Sequence, residues 1–216
     1  MSAPALRFLF DFISPYAYLG WKSVHALAER HGRVVQPVPV LFAAMLNHHG
    51  HKGPAEIPSK RIYVFKDVLR TAAVLGVPLQ PPPSHPFNPL LALRVVGLDM
   101  PEDTRFALID ALYAATWGGG PGVTDPAVVG RIAQDVGVPD AVVRASQPEA
   151  KARLRDATNA AIAEGVFGVP TVLADGELFW GHDSFDHLDR FLAGEDPVDA
   201  ALLERWAHIR PSATRG

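Results

Sequence analysis

An aromatic strand that runs straight into a capped helix near the start of the chain constrains the fold more than any other stretch. Residues 8–12, Phe-Leu-Phe-Asp-Phe, are apolar and aromatic, which is typical of a buried strand. Ser14 is a favourable N-cap, since its hydroxyl can accept a backbone N–H of the first helical turn, and Pro15 suits the first helical position. Ser14 is therefore predicted to lie at the carboxyl end of a strand, the edge at which open α/β folds bind ligands. On these residues alone it could be a site residue or only a cap.

A second strand and a long helical block are predicted after this opening. A helix over 15–31 stops at a glycine, and 34–42 has the apolar pattern of a strand whose two prolines favour an edge position. This β-α-β unit predicts a parallel pair of strands with a right-handed crossover. The helical patterns that follow a polar loop at 43–59 cover 59–75, 89–98, 102–117, 125–136, 139–145 and 148–164, with an irregular proline-rich segment at 77–89.

Strand character returns only near the end of the chain. Residues 171–174 and 177–180 flank Asp175-Gly176, which predicts a β-hairpin with a type I′ turn. Two more helical patterns follow, at 184–192 and 197–209. The order of elements predicts an α/β domain split by an all-helical insertion, with residues 1–58 and 166–216 in the first domain and 59–165 in the insertion.

The composition argues against several classes of function. A net charge of −3 without a run of lysines or arginines gives nucleic-acid binding little electrostatic support. No stretch approaches the roughly 20 apolar residues of a membrane span. Residues 1–6 are too short a stretch for a signal peptide, so a cytoplasmic protein is expected. The chain has no cysteine, which removes disulfides, thiolate ligands and any thiol chemistry of its own.

Other residues suggest functions that the surrounding sequence does not support. Three histidines between positions 48 and 51 lack matching carboxylates apart from Glu56, so no metal site is predicted. The glycines of 118–122 lack the lysine and the Ser or Thr of a phosphate-binding loop. Ser14 is a weak candidate for a hydrolase nucleophile, because no G-x-S-x-G elbow surrounds it.

Three motifs in order carry a resemblance to a known family. The motifs are Ser-Pro-Tyr-Ala at 14–17, Gly-Val-Phe-Gly-Val-Pro-Thr at 165–171 and Phe-Trp-Gly-His-Asp at 179–183. From about Leu6 to Leu192 the chain resembles the thioredoxin-like proteins of the DsbA group, and within them the 2-hydroxychromene-2-carboxylate isomerases and their relatives, the kappa-class glutathione transferases. In the DsbA group a C-P-x-C pair opens the first helix and a cis-proline faces it. Ser14 and Ala17 stand where these cysteines would stand.

The resemblance implies a glutathione-dependent isomerase that converts 2-hydroxychromene-2-carboxylate-type substrates to trans-o-hydroxybenzylidenepyruvate in aromatic-compound catabolism. Ser14 would be catalytic, because its hydroxyl and the helix N-terminus both favour the thiolate form of glutathione. The residues expected to hold glutathione are Ser14, Val169, Pro170, His182, Asp183 and Ser184. The aromatic substrate should lie between Ser14 and the helical insertion, where the candidates are Tyr16, Asn88 and Lys60, with Lys52 as another source of positive charge.

Some alternatives stay open at this point. Asn88 could be only a turn residue between two prolines, and Asp183 only a cap. Ser184 replaces an arginine that is common in the family, and His51 stands where kappa-class relatives have an asparagine. The chain could also be a kappa-like glutathione transferase acting on other electrophiles, or a thioredoxin-like binding protein without chemistry. Dimers are common in the family, so a second copy of the chain is a candidate partner.

Overall fold

The computed structural model describes residues 4–213, and its centre is a mixed four-stranded sheet of order β2-β1-β3-β4. The strands are β1 (Ala5–Phe10), β2 (Val34–Pro39), β3 (Thr171–Ala174) and β4 (Glu177–Trp180). β1 pairs in parallel with β2 and antiparallel with β3, and β3 and β4 form a hairpin. The predicted parallel pair, the hairpin and the edge position of the proline-containing strand are therefore confirmed. The turn residues of the hairpin, Asp175 and Gly176, both have positive φ, as a type I′ turn requires.

Helices account for most of the remaining chain. One helix, α1 (Pro15–Arg30), connects β1 to β2. The helices that lie between β2 and β3 are α2 (Phe42–His49), α3 (Pro58–Leu75), α4 (Leu90–Val96), α5 (Glu102–Trp117), α6 (Pro126–Asp135), α7 (Ala141–Ala145) and α8 (Pro148–Ala163). After the hairpin come α9 (Phe185–Leu192) and α10 (Ala200–Ala207). No helix of the described residues is long and apolar enough to cross a membrane.

The prediction of a polar loop at 43–59 is wrong, and so is the extension of the second strand to Phe42. β2 ends at Pro39, α2 follows at once, and a 3₁₀ turn occupies Pro54–Glu56. The helix forms because Phe42, Met45 and Leu46 recur at helical spacing, and Met45 is fully buried. Its first turn is also stabilised from outside, since the Phe42 N–H donates to the buried carboxylate of Asp11.

Several helix starts differ from the prediction, and three of the differences have a clear local cause. α7 begins at Ala141, because Asp140 adopts a left-handed conformation. α9 begins at Phe185, because a 3₁₀ turn takes His182–Ser184. α10 begins at Ala200, because the Asp199 carboxylate accepts the N–H groups of Ala201 and Leu202 and so caps the helix. Each difference is local and leaves the order of elements unchanged.

The hydrophobic core runs without interruption from the sheet into the inserted helices. Tyr113 of α5 is fully buried, and its ring centroid lies 4.8 Å from that of Phe12 and 6.0 Å from that of Phe10. Such edge-to-face and tilted aromatic pairs add to the stabilisation from burial alone. The division into two domains at residues 58 and 166 stays a prediction, and its outermost residues, 1–3 and 214–216, lie outside the described part of the chain.

Candidate functional site

The Ser14 hydroxyl lies in the gap between the end of β1 and the start of α1. Ser14 is the N-cap of α1, with Pro15 at the first helical position, and its Oγ accepts the Ala17 N–H at 3.2 Å. The Ser14 N–H in turn donates to the Asp11 carbonyl at 3.1 Å. The predicted strand, cap and helix are thus confirmed. The hydroxyl sits at the positive end of a helix of 16 residues, which favours a negative charge beside it.

The segment at 168–171 faces Ser14 from the other side of the cleft. The Val169-Pro170 peptide bond is cis, and the Ser14 hydroxyl donates to the Val169 carbonyl over a long 3.4 Å. Hydrogen bonds on both flanks hold the segment, from the Thr171 hydroxyl to the Gly168 carbonyl and from the Gly181 N–H to the Pro170 carbonyl. Within residues 4–213 the Val169 N–H has no hydrogen-bond partner, so an extended peptide could pair with it.

The carboxylate of Asp11 organises the loop beneath Ser14. Asp11 is fully buried, and its two oxygens accept the N–H groups of Ile13 at 3.1 Å and of Phe42 at 3.0 Å. Burial raises the pKa of this carboxyl to about 7, although both hydrogen bonds favour the charged form. Asp11 therefore ties the Ser14 loop to the start of α2. The sequence alone does not indicate this role of Asp11, since Phe42 lies 31 positions further along the chain.

A tight turn after the hairpin carries the other predicted glutathione contacts. Gly181 has a φ of 87°, and a side chain there would collide with the Asp183 carboxylate. Asp183 is exposed, and its negative charge is close enough to raise the pKa of the Tyr16 hydroxyl. The Ser184 hydroxyl donates to the Gly181 carbonyl at 2.8 Å, and the His182 ring contacts the Ser23 hydroxyl at 3.3 Å. His182 thus faces α1, and Asp183 is the freely accessible group of the turn.

Beside Ser14 a cavity of about 330 Å³ opens between the start of α1, helix α3 and the segment 77–89. Its wall is mainly apolar, with Pro15, Phe65, Leu69, Leu79 and Trp117 among its members, together with His85. This volume and this kind of wall are typical of a small-molecule site. The cavity lies where the sequence analysis expected an aromatic substrate, between Ser14 and the inserted helices.

None of the three predicted substrate residues, Tyr16, Asn88 and Lys60, is part of the wall of this cavity. The Tyr16 hydroxyl donates to Asp67 of α3 at 2.7 Å, so it bridges α1 and α3. Burial, and then this hydrogen bond, raise the pKa of Tyr16. Asn88 is exposed, and its Oδ1 accepts the Leu90 N–H at the start of α4. Lys60 is exposed on the first turn of α3, and it is its neighbour Arg61 that lines the cavity.

His85 is a wall residue that the sequence analysis did not select. Its Nε2 lies 3.0 Å from the Ile13 carbonyl, and its ring packs against the aromatic rings of Phe65, Phe87 and Trp117. Because a carbonyl only accepts, Nε2 carries the proton and donates. Burial lowers the pKa of His85, so the ring is neutral. The long irregular stretch around it was the available signal, since such segments are often functional.

This architecture defines the class of the protein. A mixed four-stranded sheet, a helix whose first turn faces a cis-proline and a helical insertion after the β-α-β unit are the features of the thioredoxin-like proteins that the sequence resembles. The family model of the DSBA-like thioredoxin domain matches residues 5–193, and the chain belongs to that family.

Similar proteins indicate the branch of the DSBA-like family to which the chain belongs. A 2-hydroxychromene-2-carboxylate isomerase of Sphingobium xenophagum is 34% identical over 193 residues, which cover 87% of this chain and 97% of the relative. A kappa 2 glutathione S-transferase of Caenorhabditis elegans is 29% identical, covering 93% and 96%. A solved 2-hydroxychromene-2-carboxylate isomerase superposes with a TM-score of 0.77 at 26% identity, covering 94% of this chain and 98% of its own. The chain is therefore a member of the branch that contains these isomerases and the kappa-class transferases.

Proposed function

We propose that the protein is a glutathione-dependent isomerase of 2-hydroxychromene-2-carboxylate-type substrates, acting in the catabolism of aromatic compounds. The observation that carries the proposal is the Ser14 hydroxyl at the N-terminus of α1, beside an apolar cavity, in a chain without cysteine. A hydroxyl at this position cannot carry out thiol–disulfide exchange, but it can hold a thiolate supplied by another molecule. We place the reaction in the cytoplasm, where glutathione keeps thiols reduced. A homodimer stays a prediction.

Several groups of the site fit glutathione. The unpaired N–H and the loosely bonded carbonyl of Val169 match the two backbone groups of an extended peptide, with Pro170 beside them. The exposed carboxylate of Asp183 suits an amino group, and the positive end of α9, which begins directly after Ser184, suits a carboxylate. His182 would contribute through its backbone, because its ring is bonded to Ser23. When bound, glutathione supplies a nucleophilic thiolate that adds to a conjugated carbon and later leaves it, so that the bond can rotate between the two steps.

The residues of the chain act by holding charge and orientation. Ser14 has one hydroxyl proton, and its 3.4 Å contact with the Val169 carbonyl is weak enough to be exchanged for a bond to a thiolate. The α1 N-terminus favours the same negative charge by roughly 0.3–2 kcal/mol. Because one pKa unit corresponds to about 1.4 kcal/mol, the two effects lower a thiol pKa by on the order of one unit. The cavity next to Pro15 holds the aromatic part of the substrate. Tyr16, Asn88 and Lys60 are not among its wall residues and remain proposed substrate contacts.

The test is conversion of a chromene carboxylate followed by its absorbance spectrum. We expect turnover with glutathione and none with S-methylglutathione, which keeps the peptide contacts and lacks the free thiol. Equal turnover without any glutathione would exclude the borrowed thiolate. Calorimetry with S-methylglutathione checks the control, because it should bind even though it supports no reaction.

A second activity is favoured by the likeness to the kappa 2 transferase, which spans 93% of this chain. The same thiolate site would then conjugate glutathione to an electrophile in the apolar cavity. A generic electrophile such as 1-chloro-2,4-dinitrobenzene separates the two functions, since a stable adduct consumes glutathione and an isomerisation does not. Rapid adduct formation with no conversion of the chromene carboxylate would favour the transferase. Failure of glutathione to bind would leave only a binding protein without chemistry.

A further inference from the structure

Among the described residues, the wall of the cavity has one cationic side chain and no carboxylate. Within the same residues, Arg61 and His85 are the only titratable side chains that line it. Arg61 lies with its guanidinium carbon 5.7 Å from the centre of the Phe65 ring, a cation–π arrangement that keeps it at the cavity wall. Within residues 4–213 no carboxylate forms an ion pair with Arg61. A guanidinium without a partner beside an apolar space is suited to an anionic ligand.

His85 does not compete for such an anion. Its Nε2–H is already bonded to the Ile13 carbonyl, and its other ring nitrogen is buried without a partner. Both burial and the nearby charge of Arg61 lower the pKa of the imidazole, so it stays neutral. Arg61 and His85 both line the same cavity. The attraction for a negative group is therefore concentrated on Arg61.

The wall residues of α3 define how a ligand would lie. Arg61, Phe65, Val68 and Leu69 line the cavity from positions i, i+4, i+7 and i+8, which share one face of a helix. From Arg61 to Leu69 this face extends about 12 Å along the helix axis. The charged end is at the start of α3, and the rest of the face is apolar. A flat aromatic acid matches this pattern, with its ring on the apolar part and its carboxylate at the charged end.

We propose that Arg61 binds the carboxylate of a planar aromatic acid whose ring occupies the cavity, and that this contact selects acids over neutral aromatic compounds. The proposal deepens the function proposed above, since it names the residue that holds the acidic group of the substrate. It also differs from the expectation for Lys60, which is exposed and absent from the wall. A guanidinium can hold both carboxylate oxygens at once, whereas an ammonium acts as a point charge.

Binding without glutathione tests the proposal apart from any catalysis. The probes are chromone-2-carboxylate and chromone-2-carboxamide, measured by titration calorimetry. We expect Arg61→Gln to weaken carboxylate binding by up to about tenfold, since Arg61 is exposed and a charge-assisted hydrogen bond at an exposed site lies at the low end of its range. Binding of the carboxamide should stay unchanged. The matched control is Lys66→Gln, which removes the same charge from an exposed position of α3 outside the wall.

The proposal is overturned if Arg61→Gln keeps the preference for the carboxylate, if Lys60→Gln loses it instead, or if the wild-type protein binds neither probe. If Arg61→Gln does not fold by circular dichroism, Arg61→Lys serves in its place and should bind the carboxylate with intermediate affinity. If Arg61→Gln loses the carboxylate preference but the wild-type protein shows no glutathione-dependent conversion, this inference stands and the proposed function is rejected. The two failures are therefore distinguishable.

Discussion

The Ser14 loop and the cavity beside it differ in the polarity and the burial of their side chains. In the loop, residues 11–14, polar groups are buried and paired, with both oxygens of Asp11 bonded to backbone N–H groups and the Ser14 hydroxyl bonded on either side. The cavity wall is apolar and partly exposed, and its one cation, Arg61, has no ion-pair partner in the described chain. Buried paired groups hold a fixed geometry, whereas an apolar wall tolerates exchange of side chains. We therefore propose that the loop determines the chemistry and the wall determines the choice of substrate.

The largest expected effect comes from the buried carboxylate of the loop. Its pKa is about 7 in the folded protein and 3.8 as the ordinary value, so between these pH values the folded state keeps a proton that the unfolded state has lost. The contribution of Asp11 to stability is therefore fully present below pH 4 and declines as the pH rises to 7. At about 1.4 kcal/mol per pKa unit, the decline is at most about 4 kcal/mol. Urea unfolding of the wild type and of Asp11→Asn across this range measures it.

The informative quantity is the difference between the stability of the wild type and that of Asp11→Asn at each pH. The pKa values of His25, His85 and His182 are all lowered by burial, so they titrate in an overlapping range with the opposite sign. Subtracting the Asp11→Asn curve removes their contribution. Glu177→Gln, at an exposed position of β4, is the control for the loss of one acid. If the curve of Asp11→Asn runs parallel to that of the wild type, the pKa of this carboxyl is not raised by burial.

Ser14→Ala is the next largest change, and it removes the hydroxyl that is expected to hold the thiolate. A hydrogen bond to a charged group contributes about 1.5–3 kcal/mol, so the turnover number should fall roughly 10- to 100-fold. The ultraviolet absorbance of bound glutathione thiolate should titrate at higher pH in the variant. Loss of the cap itself costs about 1 kcal/mol of stability.

A conservative variant separates the cap from the chemistry. Ser14→Thr keeps a hydroxyl that can serve both purposes, so it should restore most of the turnover and the thiolate titration. If Ser14→Ala unfolds more readily but turns over substrate at the wild-type rate, Ser14 is only a cap. If both variants lose activity equally, the bulk at this position matters rather than the hydroxyl.

The comparison also shows which parts of the molecule can be inferred from the sequence. The strand, cap and helix around Ser14 were predictable, because each rests on neighbouring residues with strong local preferences. The hairpin was predictable for the same reason, since Asp175-Gly176 has few other conformations available between two apolar runs. The segment around Pro170 was expected opposite Ser14 only through the family resemblance, because the conformational preferences of neighbouring residues say nothing about contacts between distant segments.

Contacts between distant residues were the part that could not be inferred. The N–H of Phe42 finds the carboxylate of Asp11 only in the folded chain, and without that contact the start of α2 looks like the end of a strand. His85 reaches back 72 positions to the Ile13 carbonyl. Arg61 and Lys60 are adjacent cations in the sequence, and only the packing of α3 decides which of them lines the cavity. Choice of substrate is thus harder to predict than the thiol chemistry.

His85→Phe tests the link between the two regions, because His85 belongs to the wall and is bonded to the loop. Phenylalanine keeps an aromatic ring next to Phe65 and Trp117 and leaves the Ile13 carbonyl without its donor. Stability should fall by about 1 kcal/mol, the usual net value of a hydrogen bond. Thermal unfolding measures this loss, with His187→Phe on the exposed side of α9 as the control. An unchanged midpoint for His85→Phe would show that the bond does not tie the wall to the loop.

Tyr16→Phe is expected to have the smallest effect and the most selective one. It removes the 2.7 Å bond from α1 to Asp67 of α3 and leaves the half-buried ring in place. Because the group is partly exposed, the loss of stability should be about 0.5 kcal/mol. Helix α3, which carries much of the cavity wall, loses this bond to α1, so the KM for the aromatic substrate should rise while the turnover number stays close to that of the wild type. A fall in turnover without a change in KM would instead assign Tyr16 to the thiol chemistry, and the division between loop and wall would not hold at this residue.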